Sequence, residues 1–452
     1  FPYRVLIVVI AVFFIMLISV VLAIFAPYVM KIITPGFSAE KMESVVLFTR
    51  IMFLSPLFFG ISGIFGGILT SFKKFLIYSL APLFYNLGII FGIFVFVPMM
   101  GEIGLAWGVA FGALLHMSIQ YPAVRYTGFR YNFVLFESLK NRDIREVLRL
   151  MIPRTLGIAV TQVNLLIITV FASLLAAGSL AIFSFAQNLQ SVPLGLFGIS
   201  FAIAVFPTLA QHASKKEHGD FVKIFSETFR QILFFVVPLS VMIIVLRAQI
   251  VRVVLGTGKF DWEDTILTFQ CLGVFAVSLF AQSTVPLLAR SFYALHDTKT
   301  PFYIALVTEI VNIGAVLLLI DRFQVMGLAI AFSLASIAQM LMLLFMLRMR
   351  FDGLDDKNII LMISKVALAS IIAGIGTQAA KYGLSYIVNM DTFIGVFTQL
   401  AGSALAGLLI FVGMSYALKL QEFFAFKESL TRKIFKTKQA SIQENTSQVS
   451  GV

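Results

Sequence analysis

The stretch VLIVVIAVFFIMLISVVLAIFAPYVM, from Val5 to Met30, runs without a charged residue. An α-helix needs about 20 apolar residues to cross a bilayer core, and this run exceeds that. It is too long for the apolar region of a signal peptide, and no small-residue cleavage site follows it. Membrane barrel strands would alternate over about 10 residues, and no alternation is present. The run is a membrane-spanning helix.

Similar runs follow along the whole chain. Of its 452 residues 60% are hydrophobic and 12% charged, with 48 Phe and a mean hydropathy of +0.98. A water-soluble domain carries about 25% charged residues. In hydrocarbon every backbone polar group needs an internal partner, which leaves helices or a closed barrel. The predicted fold is therefore an all-α, polytopic membrane helix bundle. Twelve spans are predicted, at 5–30, 45–70, 76–99, 103–124, 148–174, 178–209, 229–250, 265–289, 301–320, 324–347, 358–380 and 392–418.

An even number of spans puts both termini on one side, and most of the 34 Lys and Arg fall on that side. That bias predicts both termini in the cytoplasm. It also accounts for the net charge of +12 without a nucleic-acid partner. The lone Cys271 lies in an apolar run and excludes an intrachain disulfide.

An internal repeat adds organisation. Thr34-Pro35-Gly36-Phe37 resembles Gly256-Thr257-Gly258-Lys259-Phe260, Ser71-Phe72 resembles Ser291-Phe292, and Asn86 corresponds to Asn312. All three pairs share an offset of about 220 residues, or six spans. A parallel repeat of this kind marks a two-lobed transporter with its substrate site between the lobes. Spans one to four match spans seven to ten, so partners of spans five and six are expected before Phe1. The prediction is twelve spans of an expected fourteen: an incomplete N-lobe at 1–130, a C-lobe at 131–350, a helix pair at 351–418 and a basic cytoplasmic tail at 419–452. In that tail Phe423, Phe424, Phe426, Leu430 and Phe435 mix with Lys427, Arg432, Lys433, Lys436 and Lys438. This pattern suits an interfacial helix on anionic lipids of the inner leaflet.

No catalytic motif is present. Gly256-Thr257-Gly258-Lys259 lacks the phosphate-loop spacing, and His116, His212, His218 and His296 show no metal-ligand spacing. Gly60, Gly63, Gly66 and Gly67 read as small-residue helix packing. The chain is expected to be neither an enzyme nor a cofactor or metal protein.

Polar residues inside spans carry more information, because lipid penalises them unless they meet water or a partner. Arg50 can bind an anionic headgroup or snorkel to the interface. Arg154, after Pro153, suits bidentate phosphate contact or pins a helix end. Gln162 and Asn164 in span five, with Gln187, Asn188 and Gln190 in span six, can line a polar cavity or hold helices together. Pro193 allows a kink there. Glu309 in span nine, with Asn312 on the same face, forms a candidate Na+ or proton site; a neutral structural Glu is the alternative. Lys365 reads as structural.

The segment Arg290-Ser291-Phe292-Tyr293-Ala294-Leu295-His296-Asp297-Thr298-Lys299-Thr300-Pro301 resembles the cytoplasmic loop of the MurJ/MviN lipid II flippases. Ala81-Pro82 with Asn86, Pro153-Arg154, and Pro193 to Gly198 leading into Phe206-Pro207 extend the likeness in order along the chain. The family belongs to the multidrug/oligosaccharidyl-lipid/polysaccharide exporter superfamily. The resemblance implies fourteen helices, two six-helix lobes around a central cavity, and a final pair forming a lipid groove. It implies a polyprenyl-pyrophosphate-linked glycopeptide as substrate, alternating access in the bacterial cytoplasmic membrane, and a monomer. By alignment the chain starts at the family's third helix, so most of the family's cavity arginines would precede Phe1. Gln187-Asn188 stands where many members carry a charged pair, leaving room for another polyprenyl-linked oligosaccharide. A multidrug or cation antiporter of the same superfamily would need more acidic residues than Glu309 deep in its spans. A scaffold recruiting partners through the basic tail would not need the polar faces of spans five, six and nine.

Overall fold

The computed structural model describes residues 2–127, 162–256, 260–351, 353–428 and 431. All regular elements among them are helical. We number them α1 Pro2–Ile33, α2 Ala39–Ser71, α3 Phe75–Met100, α4 Ile103–Tyr126, α5 Gln162–Ser173, α6 Ser179–Ser214, α7 His218–Leu255 and α8 Trp262–Ala294. A continuous helical stretch, Lys299–Phe351, follows, then α11 Asp356–Ser385 and α12 Phe393–Ala417. A short α13 covers residues 421–428.

Lys299–Phe351 has 53 residues, which at 1.5 Å per residue would be far too long for one crossing. Gln324 breaks it with φ 51° and ψ −132°. Arg350, at its end, bonds to Asp297, just before its start, at 2.9 Å. The stretch is thus a hairpin of two antiparallel helices, α9 (299–323) and α10 (325–351). Each of the twelve predicted spans now has a helical counterpart, α1 to α12. The fifth has it only in α5, since its earlier part lies outside the described residues. So do Arg154, Lys259 and the tail from 432 onward.

Backbone contacts divide the chain into two compact units, Phe1–Leu174 and Leu175–Val452. In the first, α3 and α4 approach through glycines spaced four apart. Gly88 and Gly92 on α3 meet Gly112 and Gly108 on α4, and a methyl group at Gly108 would lie 2.9 Å from the Gly92 Cα. Paired small residues let membrane helices pack backbone to backbone. The glycines singled out from sequence divide: a methyl group at Gly60 or Gly66 would meet the Ile15 or Tyr78 side chain, while one at Gly63 or Gly67 would meet nothing within 4 Å. Deeper in this unit, Ser62 Oγ lies 2.7 Å from His116 Nδ1, and the Phe59 ring packs edge-on against the imidazole. His116 is a packed, half-buried, hydrogen-bonded histidine.

The second unit is built around α7 and α8. Its core includes Phe225, Phe229, Ile232, Leu279, Leu287 and Phe292. The α11–α12 pair packs on α7. At one end a charge cluster ties these elements together. Arg230, only 9% exposed, donates Nη1 to Asp355 at 2.6 Å, and its Nε lies 3.1 Å from Glu422 in ion-pair contact. Asp355 precedes α11 in a left-handed conformation, and Glu422 lies in α13. One guanidinium therefore fixes α7, the entry to α11 and the start of the tail.

The Gly108→Val variant should be destabilised by about 1–3 kcal/mol through overpacking against α3, read as a lower melting temperature in detergent. Gly63→Val should match the parent.

Candidate functional site

Arg50 shows how one sequence feature creates the need for another. Pro27 has no N–H, so the Ala23 carbonyl one turn earlier loses its helix partner. Arg50 Nε donates to that carbonyl at 3.1 Å, pinning α2 to α1. The rest of its guanidinium faces an open cleft of about 680 Å3 lined by Pro27, Lys31, Phe37, Glu43 and Val46. Arg50 thus anchors a helix and also presents charge to the cleft. In the same unit Gln162 is exposed and Asn164 half-buried at the start of α5; at its other end Ser173 Oγ accepts from Gly36 N–H at 3.3 Å.

The α6 amides divide in two. Asn188 is exposed and Gln187 half-buried, so both can meet a ligand. Gln190 is 2% exposed. It donates to Gln282 Oε1 at 2.8 Å and accepts from Gln282 Nε2 at 3.3 Å. Gln282 Nε2 also reaches Ser278 Oγ at 2.8 Å, and Ser278 continues to Ser333 Oγ on α10 at 2.9 Å. Both ends of the Gln190 amide are engaged there and pin α6 to α8, the helix-holding alternative for these amides. Its sequence gave no means to separate it from Gln187, because the distinction lies in which face meets Gln282.

Directly after Gln190, Pro193 leads into a π-helical segment, Leu194–Ile199. Ser200 Oγ donates to the Gly195 carbonyl at 2.8 Å, beside the Ser200 N–H that the same carbonyl accepts. Segments of this kind often mark functional positions in helices, and this one sits where a kink is predicted.

Glu309 and Asn312 lie on one face of α9, with Asn312 Nδ2 donating to Glu309 Oε1 at 3.3 Å. Asn312 is fully buried, and its Oδ1 accepts no hydrogen bond. A carboxylate beside a buried, unused carbonyl oxygen is a donor set suited to a hard cation. Lys365 donates to the Leu418 carbonyl at 3.1 Å, the structural part expected of it. Histidine spacing hid one grouping: the turn at Lys216 (φ 59°) brings His212, Glu217 and Asp220 ligand atoms within 4.8 Å of one another. His212 Nδ1 already pairs with Glu217 there at 2.6 Å.

The loop motif resolves into an anchor and an exposed remainder. Asp297 Oδ1 accepts from the Lys299 and Thr300 N–H groups at 3.1 and 3.0 Å, capping α9, while its Oδ2 takes the Thr300 hydroxyl and Arg350. Pro301 is buried; Tyr293, Thr298 and Lys299 are exposed and Arg290 is half-buried. Partial burial pushes the Asp297 carboxyl up, but the Thr300 bonds and the Arg350 charge outweigh it and hold the carboxyl below its ordinary value.

Comparison with known proteins follows the same outline. The family model described as lipid II flippase MurJ matches residues 3–398. The probable lipid II flippase MurJ of Haemophilus influenzae is 29% identical over 371 residues, spanning 80% of this chain and 72% of that protein. Its counterpart in Buchnera aphidicola is 28% identical over 397 residues, spanning 86% and 76%. A solved lipid II flippase MurJ in an inward closed conformation shares the fold with TM-score 0.75 at 23% identity, covering 92% of this chain and 84% of that one. An inward-facing multidrug resistance transporter of the MATE family shares it more distantly, with TM-score 0.63 at 15% identity over 77% and 80% of the two chains.

Because the Asp297 carboxyl is held low in the folded state, its stabilising effect should be complete above about pH 4, the unfolded value, and fade as pH falls through the lowered folded value. Thermal unfolding in detergent from pH 7 downward should show this fading in the parent and not in Asp297→Asn.

Proposed function

We propose that this chain, which belongs to the MurJ lipid II flippase family, carries the headgroup of a lipid-linked peptidoglycan precursor across the bacterial cytoplasmic membrane by alternating access. The family match over residues 3–398 carries this reading. The chain is a multi-pass membrane protein of transporter fold, and its work is translocation, with no bond made or broken. Both termini are placed in the cytoplasm, on the strength of the Lys/Arg bias. The acting species is taken to be a monomer.

For the headgroup we assign Arg50, Gln162, Asn164, Gln187 and Asn188. These groups are exposed or half-buried, and guanidinium and amide donors match pyrophosphate and sugar oxygens. Arg154 belongs to the same assignment by its place in the family pattern. The antiporter reading has less support, since cationic drugs call for several carboxylates in the spans.

Coupling is assigned to Glu309 and Asn312. A Na+ ion there would take the Glu309 carboxylate and the unused Asn312 Oδ1, and a proton would neutralise Glu309 instead. The first arrangement uses both oxygens, so Na+ is preferred.

Expression of the full gene containing this chain should restore growth to a cell depleted of its own lipid II flippase; lack of rescue, with no lipid II accumulating on depletion in its own host, rejects the function. In the rescued strain Glu309→Gln should reduce Na+-dependent flipping at least about tenfold, the scale of losing one charged ligand. Flipping that is equal at all Na+ gradients would remove the coupling assignment alone.

A further inference from the structure

At the end of α7 opposite the Arg230 cluster, three cations gather without a counter-ion. Arg247 Nη1 donates to the Ile244 carbonyl at 2.6 Å. The next carbonyl, Val245, accepts from Lys381 Nζ of α11 at 2.9 Å, and the two side chains are close enough for their charges to repel. One turn beyond, Arg252 Nη2 donates to the Met390 carbonyl in the α11–α12 loop at 2.9 Å. Among the described residues no carboxylate forms an ion pair with any of the three. Asp391, beside Met390, and Asp261, Glu263 and Asp264, around Trp262, adjoin in sequence, and none of them pairs with the three cations.

The arrangement is held in place. Glycine at 273 on α8 leaves room for the Arg247 stem, since a methyl group there would lie 3.1 Å from its Cδ. The guanidinium lies over the Phe269 ring, 5.7 Å from its centroid, and Arg252 lies over Trp262 at 5.8 Å. Gln399 of α12 donates to the Lys381 carbonyl at 2.9 Å and accepts from Gln249 of α7 at 3.0 Å, locking the three helices around the cluster. Backbone carbonyls satisfy the donors but carry no net charge. The C-terminal ends of α7 and α11 supply about half a negative charge each, which offsets roughly one of the three.

The surroundings say which anion fits. Trp262, Tyr382 and Tyr386 are exposed at this end, and exposed Trp and Tyr collect at headgroup depth. Exposed Ile375, Phe393 and Ile394 lie on the same pair of helices and exposed Ile387 in the loop between them, where acyl chains would run. We infer that Arg247, Lys381 and Arg252 form a binding site for the phosphate of an anionic membrane lipid, between α7 and the α11–α12 pair. On the orientation proposed above, this site lies in the outer leaflet. Two sources share the chemistry: a resident phospholipid, and the pyrophosphate of the flipped carrier after it leaves the transport path.

Native mass spectrometry of the full chain, released from detergent micelles supplied with known lipids, tests this. The parent should retain phosphatidylglycerol over phosphatidylcholine. Arg247→Gln with Lys381→Gln should weaken that retention about tenfold, and Lys381→Arg should restore it. Arg252→Gln alone serves if the double variant fails to fold, and the parent's own lipid preference needs no variant at all. Undecaprenyl pyrophosphate that displaces phosphatidylglycerol from the parent, and binds the Gln variants weakly, supports the site and names the carrier as occupant. Phosphatidylglycerol lost from the variants without such competition supports the site and names a resident lipid. A parent with no preference for the anionic lipid, or Gln variants that hold it as tightly as the parent, overturns the inference. Retention is read without transport, so a failed rescue assay leaves this result standing, and the reverse also holds.

Discussion

In hydrocarbon a backbone carbonyl without a hydrogen-bond donor has no water to turn to, and this constraint organises much of the molecule. Pro27 opens such a vacancy at Ala23, and Arg50 fills it from the neighbouring helix. In the π segment after Pro193 the Gly195 carbonyl takes both the N–H and the hydroxyl of Ser200. Lys365 and Lys381 serve carbonyls of adjoining segments in the second unit. A cation inside a span is then both a charge and a structural donor, and the two uses need not compete. Arg50 has several N–H groups and commits one of them to Ala23.

The number, length and order of the helices were legible because a membrane span is a long one-dimensional pattern. The single helical run from Lys299 to Phe351 could have contradicted that reading; instead Gln324 reverses it where two spans had been placed. What sequence could not supply was the direction each polar side chain takes around its helix. Gln187, Asn188 and Gln190 have almost the same chemistry within one turn, yet only Gln190 turns toward Gln282. The glycines posed the same problem. Of those in α2, Gly63 and Gly67 face open space and Gly60 and Gly66 admit side chains, while Gly88, Gly92, Gly108 and Gly112 are the ones that let backbones touch. A spacing of four on each of two consecutive helices was the available signal.

Charge is handled differently at the two ends of the second unit. At one end Arg230 is met by both Asp355 and Glu422, so its charge is matched and the cluster holds elements together. Removing Arg230 would leave the buried Glu422 without this partner, which is costly. At the other end Arg247, Lys381 and Arg252 have carbonyls as partners. The same helix, α7, thus carries a closed ionic joint at one end and an open electropositive seat at the other.

The reversal at Gln324 has a consequence for how the chain enters its membrane. The turn between α9 and α10 is too short to form a separate extramembrane loop, and Asp297 and Arg350 close the far ends of the same two helices. The two helices are suited to enter lipid as one pair during biosynthesis, with the combined apolar length of both arms offsetting the charged Asp321–Arg322 tip.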